Sequence, residues 1–137
     1  MGARSTARDA ALQMLFALEL SENGCDSVIS DFWREFPGDP EDRAYADDIT
    51  RGVDACLDEL DTVIRQASEH WRLERMTRVD RNVLRLGSWE LLKRSDVPRA
   101  VVIDEAVNVA KQYGSETSGA FINGVLDRIA ENSGCKS

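Results

Sequence analysis

An all-α fold is what the sequence predicts, on three observations. Apolar residues recur at steps of three and four along nearly the whole chain, the spacing that gathers them on one side of a helix. The one run rich in β-branching, Ala100-Val101-Val102-Ile103, has no partner strand elsewhere. Only three prolines and nine glycines interrupt 137 residues, of which 42% are hydrophobic. Such a chain buries about two-thirds of its unfolded surface and needs no metal or disulfide staple.

The elements follow in order. Ala7, Ala10, Ala11, Met14, Leu15 and Leu18 place a helix over residues 6–20, with Thr6 and Asp9 spaced as a capping box at its start. Its small residues predict close packing. Asn23-Gly24 breaks the pattern, and Val28, Ile29, Phe32, Trp33 and Phe36 mark a second helix that Pro37-Gly38 ends. Asp39-Pro40 opens the third: Asp39 suits the N-cap, Pro40 the first helical position, and Asp42 puts negative charge near the positive helix end. Tyr45, Ile49, Val53, Cys56, Leu57, Leu60 and Ile64 carry it to Ala67 as the longest helical stretch, with room for a kink.

Residues 70–76 lose the period and read as a connector whose Trp71, Leu73 and Met76 plug the core. Thr77 and Asp80 offer a second capping box, ahead of a helix to Arg94 with Val79, Val83, Leu86, Gly87 and Leu91 inside and Arg78, Arg81 and Arg85 grouped outside. Ala100–Ile103 is expected as an extended lead into a helix that ends at Tyr113, with Gly114 as a left-handed stop. Phe121, Ile122, Val125, Leu126 and Ile129 form the last helix, with Gly124 as a close-packing position. Short connections and the absence of repeats predict one domain over residues 1–137.

The net charge of −8 argues against a protein that coats nucleic acid nonspecifically. That charge is unevenly spread. Residues 1–71 carry six basic and sixteen acidic side chains, whereas residues 72–99 carry eight and four. Arg4 and Arg8 against Asp9 leave the N-terminal end mildly positive as well. No run approaches the roughly 18 apolar residues that cross a bilayer, and the first 20 residues lack a signal-peptide pattern, so the chain is expected in the cytoplasm. Cys25, Cys56 and Cys135 form no CxxC motif, and His70 is the one imidazole, so neither a metal nor another cofactor is expected. No nucleophile with an adjacent base and no glycine-rich phosphate loop is present, and Glu90 and Glu105 read as structural carboxylates. The sequence therefore predicts a binding protein rather than an enzyme.

Leu12, Phe16 and Leu20 fall on the side of the first helix away from its alanine stripe, with Arg8 at the edge. Two readings follow. Either this helix is central and buried on both sides, or Phe16 is an exposed ring flanked by arginines that stacks on an unpaired base. Tyr113, Thr117 and Phe121 straddle Gly114 and would extend such a platform; taken singly, each aromatic is more often a core residue.

The stretch Trp71-Arg72-Leu73-Glu74-Arg75-Met76 followed by Val79-Asp80-Arg81-Asn82-Val83-Leu84-Arg85 resembles the centre of the NusB transcription antitermination family. Glu90-Leu91-Leu92 with Val97-Pro98, Ile103-Asp104-Glu105-Ala106-Val107 with Ala110-Lys111-Gln112-Tyr113-Gly114, and Phe121-Ile122-Asn123-Gly124-Val125-Leu126-Asp127 agree in order and spacing. Arg8 to Phe16 is similar to that family's first helix, so the likeness runs end to end.

The resemblance implies two packed helical subdomains, a three-helix part over about residues 1–69 and a C-terminal part over about 70–137, with no catalytic activity. It also implies an RNA-binding adaptor that pairs with the ribosomal protein NusE and recognises single-stranded boxA RNA within the elongation complex during rRNA transcription. By position, the implied RNA-binding residues are Arg4, Arg8, Phe16, Asp80, Tyr113, Thr117 and Phe121. Some relatives carry several arginines in the N-terminal arm where this chain has Arg4 and Arg8. Fewer phosphate contacts predict weak binding by the chain alone, with the partner supplying more of the affinity. The acidic surface of residues 19–69 would meet a basic ribosomal protein. A helical protein-interaction module without RNA binding is the alternative, and self-association into a homodimer is left open.

Overall fold

The computed structural model describes residues 3–68 and 72–134. Its elements are α1 (Ala3–Leu20), α2 (Cys25–Glu35), α3 (Pro40–Ala55), α4 (Leu57–Ala67), a 3₁₀ turn (Leu73–Arg75), α5 (Arg78–Lys93), α6 (Arg99–Tyr113) and α7 (Ser118–Asn132). No strand forms among the described residues. None of the described helices is long and apolar enough to cross a membrane. The chain groups into two compact units, Met1–Ala55 and Cys56–Ser137.

In the first unit α1 packs on α3 and α2, and α2 packs on α3. Ala7 and Ala11 are fully buried, which lets the α1 backbone approach its neighbours, and Met14, Leu15, Ile29, Ile49 and Val53 complete the apolar interior. Each such large side chain contributes about 1.5–3 kcal/mol. Gly24, at φ +88°, makes the left-handed turn into α2 that a side chain would oppose. Trp33 Nε1 donates to Asp47 Oδ1 at 2.7 Å and ties α2 to α3. Asp26 and Arg51 pair across the same two helices.

In the second unit α4, α5, α6 and α7 enclose Leu60, Ile64, Leu84, Ile122, Leu126 and Ile129, all fully buried. Thr77 caps α5 by accepting from the Asp80 backbone N–H at 3.1 Å, as its spacing predicts. Arg85 forms a two-pronged pair with Asp61 of α4, Nε to Oδ1 at 2.8 Å and Nη2 to Oδ2 at 3.0 Å. Arg128 of α7 donates to the Ala67 carbonyl at 3.1 Å, satisfying one of the acceptors that the end of α4 leaves open. Arg99 at the head of α6 reaches Asp127 and Glu131 of α7, each at 3.2 Å. Leu73 and Met76 are buried as expected, while Trp71 and His70 lie outside the described residues.

Four local expectations change. Helix α1 begins at Ala3, so Thr6 lies inside it and does not cap it. The long helix to Ala67 is two helices, broken at Cys56 (φ −109°, ψ 18°), where Asp58 and Glu59 place negative charge in the first turn of α4. Because α4 packs on α5 and α7, residues from Cys56 onward group with the C-terminal unit rather than with a part reaching about residue 69. Ala100–Ile103 are helical from Arg99 on: Pro98 starts the helix, and burial of Val102 and Ile103 outweighs their modest β preference.

The fourth change concerns glycines. Gly114 is not left-handed (φ −104°, ψ −162°). Its small size is used instead, since a Cβ there would stand 2.5 Å from Ser118 Oγ and 2.7 Å from the Ala110 carbonyl oxygen. Gly114→Ala is accordingly expected to cost about 1–3 kcal/mol in a urea unfolding curve, the range for forced overpacking. Gly124 faces open space, while Gly87 is close-packed: a Cβ there would stand 2.8 Å from Leu126 Cδ1.

Candidate nucleic-acid interface

On α1, positions 8, 12, 16 and 20 share one face by their spacing of four. Exposure rises along it: Arg8 is 2% exposed and Leu12 fully buried, Phe16 is half-buried, and Leu20 is 74% exposed. The helix is thus buried on this face at its N-terminal end and open at its C-terminal end, with Phe16 between the two. Arg4 is exposed and its guanidinium carbon sits 4.4 Å from the ring centre of Tyr45 of α3; that of Arg8 sits 5.7 Å away. The ring faces attract both cations and hold them against α3. Arg8 therefore presents no open phosphate contact, because its side chain lies in the interior. Tyr45 is the partner that sequence reasoning missed; an aromatic on the third helix gives no local sign that it receives the arginines of the first.

The second unit carries the other expected residues. Tyr113, half-buried, ends α6, Thr117, exposed, precedes α7, and Phe121, half-buried, lies one turn into it. The turn between them is held by the Ser118 hydroxyl, which accepts from the Ser115 backbone N–H at 3.0 Å, and by Ser115 and Thr117 hydroxyls 3.2 Å apart. Tyr113, Thr117 and Phe121 thus lie around one short connection. Asp80 is half-buried in the first turn of α5, and its Oδ1 is a buried atom with no hydrogen-bond partner. Arg4, Arg8 and Phe16 belong to the first unit, Asp80, Tyr113, Thr117 and Phe121 to the second.

The arginines on α5 do not make an open basic stripe. Arg78 is exposed, but Arg81 is half-buried and donates to the Met76 carbonyl at 3.2 Å, and the Arg85 side chain is 11% exposed in its pair with Asp61. Structure consumes most of that positive zone. Burial, and then the neighbouring Asp54, push the Cys25 thiol above its ordinary range, which suppresses the nucleophilic thiolate. Among the described residues no group of three or more His, Cys, Asp or Glu is placed to hold a metal ion. What the surface offers is half-buried rings, Arg4 stacked on Tyr45, and the Thr117 hydroxyl.

The comparisons place this helical protein. The NusB family model matches residues 5–131, and the chain belongs to that family of transcription antitermination factors, which are not enzymes. It is 66% identical over 134 residues to the transcription antitermination protein NusB of Sorangium cellulosum, covering 98% of this chain and 96% of that one. Among solved structures it is similar to T. maritima NusB, at 38% identity and TM-score 0.85 over 96% of this chain and 92% of that one. It is also similar to a chain of the crystal structure of the antitermination factors NusB and NusE in complex with dsRNA, at 27% identity and TM-score 0.87, over 96% and 98% of the two chains.

Proposed function

We propose that this chain is an RNA-binding adaptor that pairs with a NusE-type ribosomal protein and, with it, recognises boxA-type single-stranded RNA in the elongation complex during rRNA transcription in the cytoplasm. The end-to-end likeness to a NusB solved with NusE and RNA carries this reading. Phe16, Tyr113 and Phe121 are half-buried, the state of a ring that is fixed by its fold yet still offers a face for stacking on a base. Arg4 supplies a phosphate contact. Arg8, buried beside Tyr45, acts as a positioning residue that holds α1 so that Phe16 stands one face out of the core. Thr117 offers a hydroxyl, and the half-buried Asp80 carboxylate an acceptor for an amino or 2′-hydroxyl group of RNA.

Phe16→Ala is expected to weaken RNA binding by roughly 1–3 kcal/mol, the worth of one stacked base, in filter binding with boxA-like RNA and the NusE-type partner present. A scrambled single strand and a duplex serve as controls. Equal retention of all three RNAs with the partner present would remove specific recognition. Unchanged RNA binding combined with a stability loss of about 3–5 kcal/mol would make Phe16 a core ring.

The second reading, a protein-interaction module without RNA binding, draws on one observation. Residues 1–55 carry five basic and twelve acidic side chains, and one of the five, Arg8, is buried. No retention of boxA-like RNA with the partner bound would favour it.

A further inference from the structure

The first unit holds a cleft for which RNA binding has no use. It measures about 190 Å³, and Asp9 of α1, Phe32, Trp33 and Phe36 around the end of α2, Pro37, and Asp42 of α3 are among the residues that line it. Its apolar wall is aromatic: Phe32 meets Trp33 edge-on with centroids 4.9 Å apart and Phe36 at 5.1 Å, and Phe36 is 55% exposed. An exposed phenylalanine on a hydrophilic unit is a group with unused apolar surface.

The polar lining is Thr6, Gln13 and two carboxylates, Asp9 and Asp42. Asp42 is 8% exposed, and its Oδ1, like Asp9 Oδ1, is a buried atom without a hydrogen-bond partner. Buried polar atoms are ordinarily paired, and a buried anion more strictly so. The start of α3 favours a negative charge at Asp42 but leaves this oxygen unsatisfied, and Asp9, in the interior of α1, has no helix start beside it. No lysine or arginine lines the cleft. Phosphate is excluded by the same two carboxylates. The Trp33 ring already carries one guanidinium, that of Arg43 at 5.4 Å, so the aromatic wall suits cations as well as methylenes.

We propose that this cleft receives an arginine or lysine side chain of a basic protein partner, with the aliphatic stem along Phe36 and Trp33 and the cationic head hydrogen-bonded to Asp9 and Asp42. The acidic excess of residues 1–55 draws such a partner toward it. The inference stands apart from the RNA reading, since none of the residues assigned to RNA lines the cleft.

The test is an NMR titration of the full chain with N-acetyl-arginine methylamide, N-acetyl-lysine methylamide and the neutral N-acetyl-norleucine methylamide. Either cationic amide is expected to shift the Gly38 backbone and Trp33 indole N–H signals saturably, with norleucine at least tenfold weaker. Asp9→Asn with Asp42→Asn should lower the cation affinity at least tenfold. Phe36→Ala, at an exposed ring, should also weaken it while leaving the thermal midpoint unchanged. Equal binding of the norleucine amide, shifts spread over the acidic surface without a maximum at Gly38 and Trp33, or unaltered affinity in the double asparagine variant would each overturn the proposal. Should that double variant fail to fold, unaltered cation affinity in Phe36→Ala overturns it by itself.

Discussion

Asp61→Ala is expected to lower the unfolding free energy by about 3–5 kcal/mol, the range for removing one partner of a desolvated ion pair. Arg85 and Asp61 are 11% and 12% exposed at their side chains and meet through two parallel hydrogen bonds. Without Asp61 the guanidinium keeps a contact with Asn82 Oδ1 at 3.3 Å, a neutral acceptor at longer range, and remains desolvated. The loss comes from the stranded cation more than from the missing attraction. Arg85→Met in the Asp61→Leu background should therefore restore most of the stability, since an apolar pair of similar volume needs no counter-charge. Urea curves of the single and double variants check both statements, provided the slope with denaturant stays constant. A loss under about 1 kcal/mol for Asp61→Ala would place the pair with exposed surface bridges.

Leu126→Ala is the second large effect, with an expected cost of about 3–5 kcal/mol from lost burial and the cavity left behind. Leu126 is fully buried in α7, and its Cδ1 approaches within 2.8 Å of where a Cβ on Gly87 of α5 would stand. That approach predicts a reversal of sign. In the native protein Gly87→Ala forces Leu126 to shift inside a closed core, which costs more than the roughly 1 kcal/mol that alanine gains over glycine in a helix. With Leu126→Ala already made, the same methyl fills vacated space, so Gly87→Ala becomes stabilising. A double-mutant cycle by calorimetry reads this as a coupling of about 1 kcal/mol or more. Additive effects would show that the two helices do not meet at this point.

Both sites lie on α5, whose first turn holds Asp80; Arg85 ties it to Asp61 of α4, and Gly87 meets Leu126 of α7. Variants weakened there should lose RNA affinity only in proportion to their unfolded fraction, whereas Phe16→Ala should lose it with the fold intact.

Much of this was legible in the residues themselves. Thr77 and Asp80 announce the start of α5, Asn23-Gly24 the turn before α2, and Pro37-Gly38 with Asp39-Pro40 the passage into α3. The family also showed itself in the ordered blocks from Arg8 to Asp127, which the match over residues 5–131 bears out. Arg8 was misleading in a specific way. An arginine near the N-terminus reads as solvent-facing, yet Tyr45 and the surrounding helices take it inside. Arg85 likewise reads as part of a basic face until Asp61 is seen beside it.

By itself, the sequence determined which segments are helical, nearly where most of them begin and end, and which family they compose. Those properties rest on spacing and end signals within a few residues of one another. Tertiary structure alone decided which arginines are spent on tyrosine or aspartate, where α3 gives way to α4, and which carboxylates line a cleft unsatisfied. Each of these depends on groups far apart in the chain, and burial removes the water that would otherwise have been their partner.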